Sequence, residues 1–196
     1  TDLDPRHIAP TGLANLHVLR HDAVHDTLPE SQFDLAHARL VLLHIRERAL
    51  VLERMVAALK PGGWLVIEDF DTMSVLPEPD ANPNEVRIAS ADAMRSYMVR
   101  GGVDPRFGRT LYGRFKALGL GEVRSEGRVM MWDGTNGGTE LMRINFEQIG
   151  EKCVAAGLLS AAQLRSDLAQ LDDPAFVTPS PVMWMAAGRK PAGGSR

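Results

Sequence analysis

Residues 33–71, FDLAHARLVLLHIRERALVLERMVAALKPGGWLVIEDFD, constrain the fold more than any other stretch of this chain. A short apolar strand, Phe33–Ala38, leads into a helical pattern running from Leu43 to Leu59. Leu43, Leu50, Val51, Met55 and Leu59 recur near helical spacing, while Arg46, Glu47, Arg48, Glu53 and Arg54 supply a wet face. Lys60 falls in the last turn, where a cation suits the negative helix end, and Pro61-Gly62 stops the helix. The second strand, Trp64–Phe70, is apolar at nearly every position through Ile67, which predicts cover on both faces. Strand, helix, tight turn and strand make a βαβ unit with parallel strands and a right-handed crossover.

These residues carry a family resemblance. LKPGGWLVIEDF resembles the turn into strand five of class I S-adenosylmethionine-dependent methyltransferases, and FDLAHARLVLLHI resembles their fourth strand. The order and spacing of the two segments match as well as their composition. The resemblance implies an α/β fold: a Rossmann-like, doubly wound, mostly parallel sheet in the order 3-2-1-4-5-7-6, with an antiparallel last strand. It implies S-adenosylmethionine as cofactor and a small-molecule methyl acceptor, oxygen before nitrogen.

The remaining composition narrows the partners. Of the 196 residues, 44% are apolar and 24% charged, as in an ordinary globular domain. A net charge of −3 without a basic run gives no attraction to nucleic acid or to an anionic membrane surface. No apolar run approaches the ~18 residues of a spanning helix. Cys153 is the single cysteine, so no disulfide framework exists. It lies in an apolar helical pattern and reads as a small buried hydrophobe. The opening residues do not read as a signal peptide, and a cytoplasmic location is expected.

The family's Gly-rich cofactor turn after strand one has no counterpart here. The chain thus reads as a family member without strand one, its helix and most of strand two. By resemblance, Asp2 takes the position at the tip of strand two where a carboxylate accepts from the ribose hydroxyls, with Leu3 beside the adenine. Read without the resemblance, Asp2 and Asp4 form a polar chain start before Pro5. Leu16–Leu19 reads as strand three. The following Asp22 and Ala23 match the adenine-binding loop, although Asp22 equally suits an Asx turn. By the same resemblance His37, Ala38 and Arg39, at the end of strand four, fall beside the methionine part of the cofactor, although His37 suits a hydrogen-bonded buried histidine nearly as well. His37, Glu68 and Asp69 are the candidates for catalysis, sharing one cleft if their strands are adjacent. No metal site is expected, because His17, His21 and His25, though spaced by four, fall in strand and loop. His44 reads as structural.

Further along, Met73–Pro83 reads as a loop or lid. Asn84 suits a helix cap before a helix running to about Arg100. Arg109–Leu118 reads as a helix and Glu122–Trp132 as strand six, its Met130-Met131-Trp132 cluster either core or the wall of an apolar pocket. Thr139–Ala156 and a second helix capped by Ser160 and Gln163 form an insertion. Asp172–Pro181 reads as loop and Val182–Ala187 as the last strand. The expected organisation is one partial domain over residues 1–188, with 133–181 as a helical cap and 189–196 as a tail.

Two further functions are open at this level: a nicotinamide-dependent oxidoreductase on a similar sheet, and a cofactor-free domain kept for interaction. Without strands one and two, strand four presents a bare edge. Three outcomes follow: collapse of strand three onto strand four, homodimer formation by segment exchange, or loose packing of the first thirty or so residues. Weak or no binding of S-adenosylmethionine by these 196 residues is the corresponding expectation.

Overall fold

The computed structural model describes residues 1–7, 13–74 and 88–193. In chain order the elements are β1 (Phe33–Arg39), α1 (Arg48–Ala58), β2 (Leu59–Asp71), α2 (Ala89–Arg100), α3 (Phe107–Ala117), β3 (Gly121–Arg128), β4 (Met131–Asp133), α4 (Gly137–Ala155), α5 (Ala161–Gln170), β5 (Val177–Pro179) and β6 (Val182–Arg189). The main sheet has the order β1-β2-β6-β3. β1 and β2 run parallel, and β6 is antiparallel to both β2 and β3. This is a Rossmann-like α/β sheet whose last strand is reversed, as expected.

Alternation along β2 sends Leu65, Ile67, Asp69 and Asp71 to one face, where all four are buried. The helices α1 and α3 cover that face, joining Leu52, Leu111 and Phe115 to Leu65, Ile67 and Ala186 in one core. On the other face Leu35, His37, Trp64, Val66 and Glu68 stay partly exposed. A second core, around Phe146, Cys153, Leu164 and Phe176, joins α2, α4 and α5 into a cap. Cys153 is buried there, and that burial pushes its thiol pKa up, away from nucleophilic character.

Several sequence expectations need correction. The helix begins at Arg48, not Leu43, and Leu42–His44 is a single 3-10 turn. Groups a helix would use are bonded elsewhere. Asp69 Oδ2 accepts from the Leu43 N–H at 3.0 Å, and the Arg48 guanidinium donates to the carbonyls of Leu42, Leu43 and Gly102. At the other end α1 stops at Ala58, and Lys60 lies in β2, paired with Asp34 at 2.9 Å. Gly62 supplies the positive φ of 82° this crossing requires.

The expected strand six is two elements. β3 ends at Arg128, and Met131–Asp133 forms a separate antiparallel pair with Val177–Pro179, within the expected loop. The break is fixed from a distance: the Met130 N–H donates to Ser180 Oγ, and the Ser180 N–H donates back to the Met130 carbonyl. The last strand runs past Ala187 to Arg189. Ser160 caps α5 as expected, its Oγ accepting from the Gln163 N–H at 3.1 Å.

Leu16–Leu19 forms no strand. The segment is reduced to one parallel bridge, Asp2 with Arg20, closed by Asp2 N–H to Leu19 O and His21 N–H to Asp2 O. Leu16 and Leu19 are exposed. Among the described residues β1 pairs only with β2, and most of residues 13–32 are exposed, with Ala23 and Val24 packed against the main core. The helix around Arg100 starts at Ala89 within the described residues. The expected cap at Asn84, and the loop from residue 75 onward, lie outside them.

Candidate functional site

The carboxyl ends of β1 and β2 open into a cavity of about 540 Å³ beneath the cap. In open parallel sheets this is where ligands bind. Its floor comes from the segments just beyond the strands, with Leu40, Leu43 and His44 after β1 and Phe70, Thr72 and Met73 at the end of β2. The helix α2 contributes Met94, Arg95 and Met98, and the remaining walls come from Trp132, Met142, Asn145 and Phe146.

Leu40 marks the point where β1 turns into the cavity. Its φ is +55°, a left-handed conformation that leucine seldom adopts, held by its N–H donating to the Glu68 carbonyl at 2.9 Å. Four residues on, His44 is held in place by the 3-10 turn that Asp69 anchors. Partial burial lowers its pKa below the ordinary histidine value, so its imidazole is neutral near pH 7. Across the cavity Arg95 donates to the Thr72 carbonyl at 3.1 Å and pairs with Asp92 on its own helix. The Asn145 amide makes no hydrogen bond within the described residues.

None of the cofactor-binding or catalytic residues singled out from sequence lines this cavity. The bridge to Arg20 brings Asp2 and Leu3 within two residues of Asp22 along the neighbouring segment. Asp2 Oδ1 accepts from the Asp4 N–H at 2.8 Å, and Leu3 is exposed. Asp22 organises its own turn. Oδ1 accepts from the N–H groups of Val24 and His25, and Oδ2 contacts His25 Nδ1 at 3.0 Å. The His25 contact first, and the Val24 N–H next, hold the Asp22 carboxyl below the usual range. Ala23 packs on the main core, and Arg54 of α1 donates to the carbonyls of Ala23, Val24 and Asp26.

His37 and Glu68 meet at 3.1 Å on the open face of the sheet, beside exposed Arg39, while Ala38 packs on the core. Asp69 does not join that pair. Alternation turns it to the covered face, fully buried, with its oxygens accepting from the Leu43 and Phe70 N–H groups. Desolvation raises its pKa to about 6, the backbone donors and Arg48 offsetting part of the rise. The three therefore do not share one cleft: His37 and Glu68 are in contact on the open face, and Asp69 lies on the covered face. Of the Met130-Met131-Trp132 cluster, Trp132 lines the cavity while Met130 and Met131 are half exposed. Sequence reasoning passed over Leu40, Asn145 and the Asp92–Arg95 pair, and read His44 as structural.

Among the described residues, no three His, Cys, Asp or Glu side chains gather as metal ligands, and no helix is long and apolar enough to cross a membrane.

A half-sheet of this order, with a reversed last strand and a capped cavity at the strand ends, defines a Rossmann-like α/β domain. Residues 1–123 match the family model described as a methyltransferase domain, and the chain belongs to that family. Among its relatives, methyltransferase str3 of Strobilurus tenacellus is 35% identical over 85 residues, which is 43% of this chain and 30% of the relative. Methyltransferase str2 of the same organism is 38% identical over 81 residues, 41% of this chain and 29% of the relative. The chain thus matches about a third of the length of these curated relatives. A solved structure of Haemonchus contortus phosphoethanolamine N-methyltransferase 2, in complex with phosphomonomethylethanolamine and S-adenosylhomocysteine, is 16% identical. It aligns with a TM-score of 0.48 over 87% of this chain and 36% of that one.

Proposed function

We propose that this chain is the acceptor-binding portion of an S-adenosylmethionine-dependent methyltransferase acting on a small molecule, at oxygen in preference to nitrogen, in the reduced cytoplasm. The observation that carries this reading is the capped cavity opening at Leu40, one residue beyond His37, Ala38 and Arg39. Family membership favours methyl transfer over nicotinamide chemistry.

The residues present fit one end of the cofactor. Asp2 is exposed with one carboxylate oxygen outside its turn, which suits a ribose diol, and exposed Leu3 beside it suits an adenine face. Asp22 suits the adenine amino group less well, because its oxygens already serve Val24 and His25. S-adenosylmethionine supplies an activated methyl group on a positively charged sulfur. The chain's own contribution is to hold the acceptor in line, exclude water and take up a proton. His44 suits the uptake of the proton, because it lines the cavity and its lowered pKa leaves a lone pair free at neutral pH. With the cofactor bound, a hydroxyl acceptor would lose its proton as it took the methyl group, and His44 at the cavity wall would be placed to receive that proton. A nitrogen acceptor would need the same proton removal before or after transfer.

The test is acceptor-dependent formation of S-adenosylhomocysteine by the native full-length protein. His44→Gln should abolish transfer to hydroxyl acceptors while leaving cofactor binding by calorimetry unchanged. Dinucleotide binding in place of S-adenosylmethionine binding would reject the reading.

A further inference from the structure

The cavity wall carries a chemical signature that narrows the acceptor. Four methionines from three segments, Met73, Met94, Met98 and Met142, face a space also lined by Phe70 and Trp132. Thioethers are polarizable, make favourable contacts with aromatic rings, and adapt to irregular shapes. The formal charges at the wall among the described residues are Asp92 and Arg95, which are in contact as an ion pair. Arg95 is further committed to the Thr72 carbonyl. A phosphate or carboxylate entering this space would lose its hydration and meet no uncommitted cation among the described residues. Uncharged polar groups are present nonetheless: the neutral His44 imidazole and the Asn145 amide, which makes no hydrogen bond among the described residues.

We propose that the cavity binds an uncharged aromatic acceptor, whose hydroxyl or carbonyl groups are met by His44 and Asn145, in preference to its phosphorylated counterpart. This deepens, and rests on, the reading of the cavity as the acceptor site. The volume of about 540 Å³ lies within the range of drug-sized ligand sites. The flexible methionine wall should accept several ring systems in place of one.

The experiment compares 2-naphthol with 2-naphthyl phosphate, which share a ring and differ in charge. Each is titrated calorimetrically into the native protein and into two variants that fill the cavity from different helices, Ala91→Phe and Met142→Trp. Thermal midpoints report whether each variant folds. Naphthol should bind, the phosphate ester should bind at least about tenfold more weakly, and at least one folded filling variant should lose naphthol. Equal or tighter binding of the ester would overturn the proposal. So would naphthol affinity unchanged in both filled variants. If naphthol binds as expected but no neutral acceptor is ever methylated, the methyl-transfer reading fails while the assignment of the cavity to an uncharged aromatic ligand is supported. Methyl transfer restricted to phosphorylated acceptors would do the reverse.

Discussion

The Phe70 ring stands edge-on to the Trp132 indole, with centroids 6.4 Å apart and planes at 77°. This contact joins the end of β2 to the cap, and both rings line the cavity. Such aromatic pairs add about 0.5–1.5 kcal/mol beyond their buried area. What lets Trp132 take this position is Gly138, in the first turn of α4. A Cβ there would collide with the indole.

Gly138→Ala should therefore displace Trp132 and deform the cavity wall. We expect a loss of about 1–3 kcal/mol in urea unfolding, together with weaker naphthol binding. Unaltered stability and affinity would show that the indole has room to move aside.

Asp69 makes stability depend on pH in a defined direction. Its folded-state pKa is about 6, against about 3.9 for an unfolded aspartate, so the folded chain binds this proton more tightly. The contribution of Asp69 is greatest below about pH 4, falls as pH rises toward 6, and is level above that. The interval corresponds to roughly 3 kcal/mol. Asp69→Asn should flatten this dependence, bringing urea midpoints at pH 4.5 and pH 7 closer together. A slope that survives the substitution would assign it to other groups.

Arg54 holds the segment bearing Asp22 and Ala23 by three carbonyls. Arg54→Ala leaves those acceptors without their charged donor and should cost about 1–3 kcal/mol. Limited proteolysis should then cut within residues 20–32 before it cuts elsewhere. If the adenine assignment is right, cofactor affinity of the full-length protein drops in parallel. First cleavage at another site would show that the segment is anchored by its other contacts.

His37 and Glu68 form a half-exposed pair, a class of interaction that contributes about 0–1 kcal/mol. His37→Ala should accordingly lower methyl transfer by the full-length protein far more than it lowers the unfolding midpoint. Undiminished turnover would remove His37 from the site.

The parts of the fold legible in the sequence were those fixed by neighbours in the chain. The apolar runs at Phe33 and Trp64 placed β1 and β2, and Ser160 with Gln163 placed the start of α5. What escaped was set by residues far away. The break after Arg128 depends on Ser180, and the 3-10 turn that presents His44 depends on the carboxylate of Asp69 and the guanidinium of Arg48. Leucine carries no signal for a positive φ, so Leu40 was invisible. Leu16–Leu19 had the composition of a strand without the apolar neighbour that would have made it one. The site was legible as far as the strand ends, and the cavity wall, assembled from α2, α4 and two short strands, was not.

β6 is the last strand along the chain, yet it lies inside the sheet, where Met185 is flanked by Glu68 and Glu126. On the ribosome, β2 and β3 are complete long before the strand that joins them. At about 5–20 residues per second, the inner edge of β2 waits on the order of ten seconds for its partner. Throughout that wait the backbone groups of β2 that later pair with β6 stay open, an edge of the kind that can pair with other chains. Slower passage from β2 to β6 during synthesis is expected to lower the yield of folded protein, independently of how stable the finished sheet is.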